Sequence, residues 1–103
     1  MKYVMSWTPR PGGSGADNEA AQRRALDVFS KWSPAVGVTF HQFLARLDDE
    51  GGFSVVETDD PRLVLSDTSK FAPWFEFHIF PVVDMQDAVP TFNEAVDFRS
   101  SIS

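Results

Sequence analysis

Two hydrophobic periods alternate along this chain, and their order constrains the fold more than any other feature. Tyr3 to Thr8 (Tyr-Val-Met-Ser-Trp-Thr) is a run of β-formers with partial alternation and predicts a strand. Pro9 to Gly15 holds two prolines and three glycines, which continue neither regular structure and predict a loop. From Asp17 to Trp32 the period changes: Ala21, Ala25, Val28, Phe29 and Trp32 recur at three- and four-residue steps, the stripe of an amphipathic helix. Ser14 or Asp17 can cap its start, and Ser33-Pro34 ends it.

Val38 to Leu47 predicts a strand, the acidic run Asp48-Asp49-Glu50-Gly51-Gly52 a hairpin turn, and Phe53 to Thr58 the next strand. Asp60-Pro61 reads as a cap with proline at the first helical position, opening a second helix to about Lys70 with Leu63, Val64 and Phe71 on its stripe. Trp74 to Val83 predicts a fourth strand, with Phe75, Phe77 and Ile79 on one side and Trp74, Glu76, His78 and Phe80 on the other. After Asp84 the period is helical again through Met85, Ala88, Val89, Phe92, Ala95 and Val96. Pro90 should either kink this helix or start another, and the tail after Arg99 should fray.

Strand, helix, strand, strand, helix, strand, helix is the split βαβ order of a ferredoxin-like α+β fold with an extra C-terminal helix. The expected strand order is 4-1-3-2, with both crossover helices on one face and Phe75, Phe77 and Ile79 beneath them. The opposite face would carry Trp74 and Phe80, with either Tyr3, Met5 and Trp7 or Val4 and Ser6 from the first strand. So aromatic a face should not stay in water, and pairing of two copies is the economical way to cover it. The two faces of the second strand cannot be told apart, because both alternate sets hold apolar residues. At 103 residues, one domain spanning 1–103 is expected.

Charge and composition narrow the partners. A net charge of −6 repels phosphate, so neither nucleic acid nor an anionic membrane surface is an expected partner. The absence of cysteine excludes disulfides, thiolate zinc sites and cysteine nucleophiles. No apolar run is long enough to span a bilayer and no signal-peptide pattern opens the chain, so a cytoplasmic location is expected. The glycine-rich loop lacks the Lys-Ser/Thr of a phosphate-binding P-loop and reads as a plain connection.

Several runs resemble a known family. Tyr3-Val4-Met5-Ser6-Trp7-Thr8 with Arg10-Pro11-Gly12 is similar to the opening of the bacterial domain-of-unknown-function family 3303. The run Gly51-Gly52-Phe53-Ser54-Val55-Val56-Glu57-Thr58-Asp59-Asp60-Pro61, the most distinctive, resembles it too. So do Phe75-Glu76-Phe77, Phe80-Pro81-Val82-Val83-Asp84 and Ala88-Val89-Pro90. The resemblance covers most of the chain and implies membership of the dimeric α+β barrel superfamily, hence a homodimer. That superfamily holds monooxygenases, isomerases, haem-degrading enzymes and stress-induced proteins, so the resemblance implies a scaffold and no single chemistry. It carries over no catalytic residues. The acidic turn Asp48-Asp49-Glu50 departs slightly from the shorter Asp-Gly turns of the family.

Candidate chemistry is sparse. His41 and His78 are the two histidines, and Glu76 lies two residues from His78 on one strand face. The strand order puts the histidines on opposite edges, roughly 14 Å apart, too far to share one ion within a protomer. Neither a metal site nor a cofactor is expected. Glu57 could act as a base, but the Thr58 and Asp60 context favours capping of the second helix. Arg46 should pair with Asp48 or Asp49. Trp32 belongs to the helix stripe, whereas Trp7 and Trp74 on neighbouring strands could form a ligand platform. The favoured reading is a non-catalytic dimeric module. The alternative is a binding protein for a small hydrophobic ligand, or a cofactor-free enzyme of monooxygenase or isomerase type, with His41, His78, Glu76, Trp7 and Trp74 lining an aromatic cavity.

Overall fold

In the computed structural model, residues 1–10 and 12–102 are described; Pro11, within the expected loop, and Ser103, at the end of the tail, lie outside them. The elements follow the expected order: β1 (Lys2–Pro9), α1 (Gly15–Lys31), β2 (Thr39–Ala45), β3 (Gly52–Glu57), α2 (Arg62–Ser69), β4 (Phe75–Val82) and α3 (Met85–Ile102). The four strands form one antiparallel sheet in the order β2-β3-β1-β4, the ferredoxin-like α+β arrangement.

Local chemistry sets the boundaries. Ser14 caps α1: its Oγ accepts from the Asp17 amide at 3.2 Å, and the Asp17 carboxylate accepts from the Ser14 amide at 3.1 Å. This reciprocal pair satisfies two amides that the first helical turn leaves open. The β2–β3 hairpin closes through Arg46 N to Gly51 O at 2.8 Å, with Asp49 at φ 60° and Gly51 at φ 97°. Pro61 holds the cap position of α2, one residue later than expected, without a side-chain bond, while Asp60 Oδ1 accepts from the Arg62 amide at 3.1 Å from the residue before it.

Pairing assigns the faces. Met5 stands opposite Ser54 on β3 and Ile79 on β4, while Trp7 stands opposite Gly52 and Phe77. Tyr3, Met5, Trp7, Phe75, Phe77 and Ile79 therefore share the helix side. There Met5, Val56 and Val64 form the buried core, flanked by Tyr3, Val38, Phe40 and Phe77. The opposite, open face carries Lys2, Val4, Ser6 and Thr8 from β1, Phe53, Val55 and Glu57 from β3, and Glu76, His78, Phe80 and Val82 from β4.

Four expectations are corrected. Trp74 does not share a face with Phe80: β4 begins at Phe75, and Trp74 belongs to the turn before it, so strand alternation does not apply. The two faces of β2 are separable, because the register slips between Phe40 and Gln42. This bulge at His41 lets Phe40 and Phe43, three residues apart, both point toward the helices. The C-terminal helix runs unbroken through Pro90, and its tail stays helical to Ile102. None of its residues is buried, and the chain reaches 62 Å along its longest axis.

Candidate functional site: an aromatic cleft

Between α1, the helix side of the sheet and the turn leading into β4 lies a cleft of about 840 Å³. Its walls are aromatic: Trp7, Phe29, Trp32, Phe43, Phe71 and Trp74 all line it. The sequence places four of these rings there in three ways. The stripe of α1 delivers Phe29 and Trp32. The bulge in β2 turns Phe43 inward. Gly52 leaves a hollow in β3 that Trp7 fills, since a Cβ at Gly52 would meet the indole at 2.5 Å.

The rings pack mostly edge to face. Trp7 meets Phe43 with centroids 5.3 Å apart at 76°, Trp32 meets Phe71 at 5.6 Å and 87°, and Phe43 also meets Phe29 at 5.9 Å and 65°. Such contacts set the positive edge of one ring against the negative face of another.

One buried carboxylate holds this wall. Asp67 is 4% exposed and accepts from Trp32 Nε1 at 3.1 Å and from the Ala35 amide at 3.2 Å. Lys70 Nζ stands 3.9 Å away. The rim is polar, with Arg10, Asn18, Gln22, Arg46, Asp49 and Glu50. Arg10 ties the end of β1 to the turn before β4, its Nε donating to Ala72 O at 2.8 Å. Arg46 pairs with Asp48 as expected, and its guanidinium holds the Asp48 carboxyl below the ordinary value of 3.8.

The structure divides the residues singled out from the sequence. Trp7 and Trp74 line the cleft. His41, Glu76 and His78 lie on the other side of the sheet. His41 Nε2 pairs with Glu57 Oε1 at 2.7 Å, and that hydrogen bond is the main cause holding the Glu57 carboxyl below 4.5. Glu57 therefore meets the β2 bulge instead of capping α2. His78 Nε2 lies 3.6 Å from Glu76 Oε1 at the far edge. Among the described residues, no group of three or more His, Asp or Glu side chains is placed to hold a metal ion. No helix there is long and apolar enough to cross a membrane.

Sequence reasoning missed Asp67, Arg10 and the inward Phe43. The available signal for Asp67 was its place on the apolar stripe of α2, three residues after Val64 and four before Phe71. Phe29, Trp32 and Phe71 were seen, but as core.

No curated protein matches the chain. Among solved structures, the chain is similar to SnoaB, a cofactor-independent oxygenase from Streptomyces nogalater, at 17% identity and a TM-score of 0.36, covering 82% of this chain and 93% of that one. A family model matches residues 1–96, and the chain thus belongs to the family described as Domain of unknown function (DUF3303).

Proposed function

We propose that the chain acts as a homodimeric module. The observation that carries this is surplus surface. The folded chain exposes 7509 Å², whereas a compact monomer of its mass would expose about 5,800 Å². The difference, about 1,700 Å² per chain, is what a large obligate homodimer buries. Large apolar side chains contribute to it: Phe53, Phe80, Phe92 and Val96 are each 45–56% exposed. Elongation agrees, with a radius of gyration of 18.4 Å against about 13 Å for a compact chain of this length. Light scattering over a dilution series tests the reading, which expects a dimer persisting to micromolar concentration. A monomer throughout would end it. We place this module, as one domain over residues 1–103, in the bacterial cytoplasm.

A second reading rests on the cleft. Its volume lies within the range of small-molecule sites, and its aromatic walls with a polar rim suit a flat hydrophobic ligand. The same cleft would serve a cofactor-free monooxygenase or isomerase. Its buried carboxylate, however, is committed to Trp32 and Ala35, which favours binding over catalysis. The neutral dye N-phenyl-1-naphthylamine tests the cleft directly. Its emission should rise with the wild type and much less with Ala21→Phe, which fills the space beside α1. Equal emission from both proteins would place the dye elsewhere.

A further inference from the structure

The open sheet face and the apolar side of α3 have no cover among the described residues of one chain, and they match each other. At 100° per residue, Met85, Ala88, Val89, Phe92, Ala95 and Val96 fall on one side of α3. Asp87, Glu94 and Asp97 fall on the other, and Pro90 lies among them, on the polar side, where it offers no amide to the Gln86 carbonyl one turn before. With Phe98 and Ile102 the mainly apolar arc covers roughly 180°, interrupted by Thr91 and Arg99, and is wider than the narrow seam of a helix pair. An arc that wide is buried by a broad surface such as a sheet.

The open face supplies one. Val4 stands between Val55 and Phe80, and Phe53 lies in the next row beside Ser6. Polar groups bound this apolar centre: His41, Glu57, Lys2 and Asp84 at one end, and Thr8, Glu76 and His78 at the other. Dimensions agree as well. The 18 residues of α3 extend about 27 Å at 1.5 Å per residue. The eight-residue strands β1 and β4 extend about 27 Å at 3.3–3.4 Å per residue.

Val83 and Asp84 alone join β4 to α3. Asp84 is fixed twice: Lys2 Nζ donates to its carboxylate at 2.9 Å, and its carbonyl accepts from the Asp87 and Ala88 amides. The helix leaves the sheet from a held position, and the 62 Å length of the chain is the result.

Resting on the homodimer reading, we propose that α3 is exchanged: the apolar arc of each protomer's helix lies on the open sheet face of a second copy of this chain. The surplus surface of each chain then becomes the two halves of one symmetric interface.

Full-length Phe92→Glu and Phe80→Glu test this. Both side chains are more than half exposed in the single chain, so each variant should keep its fold, checked by circular dichroism. Each variant alone should dissociate at least 100-fold more readily than wild type. Mixed in equal amounts they should form a heterodimer, because the intact α3 of the Phe80→Glu chain meets the intact sheet of the Phe92→Glu chain. A Phe92→Glu protein that stays dimeric overturns the exchange while leaving the homodimer standing. A Phe80→Glu protein that stays dimeric overturns it too, since α3 then pairs without the sheet. A mixture that stays monomeric means each helix covers its own sheet. A monomeric wild type removes the homodimer itself.

Discussion

The indole of Trp32 donates to the carboxylate of Asp67 at 3.1 Å, joining the last turn of α1 to α2 across 35 residues of sequence. The Asp67 carboxylate is almost fully buried, so its hydrogen bonds are not exchanged cheaply for water. Trp32→Phe keeps a ring in place and removes the donor. It should cost about 1.5–3 kcal/mol in urea unfolding, the range for a hydrogen bond to a charged group. A change below 0.5 kcal/mol, as an order of magnitude, would mean that water replaces the indole without penalty.

Gly52 and Trp7 are coupled by space. A methyl group at Gly52 would collide with the indole and with the Leu44 carbonyl oxygen. Gly52→Ala should therefore destabilise the protein by about 1–3 kcal/mol, the usual cost of overpacking. It should also displace Trp7 from the cleft wall. Near-ultraviolet circular dichroism reads the second effect and urea unfolding the first. An unchanged spectrum with unchanged stability would contradict this packing.

Ser54 is fully buried, and its hydroxyl has no hydrogen-bond partner among the described residues. An unpaired buried hydroxyl costs about 1–3 kcal/mol. Ser54→Ala removes it with little change in volume and should stabilise the protein by about 1 kcal/mol. A loss of stability on thermal unfolding would show that the hydroxyl is paired in solution.

Acid should weaken the fold in a defined window. The Glu57 carboxyl is held below 4.5, first by its hydrogen bond with His41, with smaller help from nearby positive charges and against partial desolvation. Asp60 is held below 3.8, chiefly by its hydrogen bond with Arg62. A carboxyl whose folded pKa is depressed adds stability above its unfolded value, and that contribution fades as pH falls through the folded one. Stability should thus decline as pH falls below about 4.5, from the unfolded values downward. Glu57→Gln should make the decline shallower in urea midpoints taken between pH 6 and 3. An identical pH profile would show that the His41 pair does not differ between folded and unfolded states.

The order of elements was legible because each carries its own period. Ser14 was one of two caps the sequence offered beside Asp17, and the reciprocal bonds between them make Ser14 the cap and Asp17 its partner. What escaped depends on contacts between distant segments. The His41 bulge exists only in relation to β3, and without it Phe40 and Phe43 count as opposite faces. Trp74 was misplaced because the turn after α2, not the strand pattern, decides where alternation starts. The cleft was half legible: Trp7 and Trp74 were singled out, but Asp67 was not, because its partners Trp32 and Ala35 lie more than 30 residues away in sequence. The histidines attracted attention by their chemistry, while the register put them across the sheet from the cleft. Pro90 argued for a break in α3, yet it sits among polar residues of that helix.

Sedimentation velocity separates a compact homodimer from an extended single chain, because it reads mass and shape together. The homodimer account expects one species of about twice 11.5 kDa with the low frictional ratio of a compact particle, since covering the apolar faces also removes the protrusion of α3. A species of single-chain mass with a high frictional ratio would contradict it, showing that the extended chain with its uncovered helix is the form in solution.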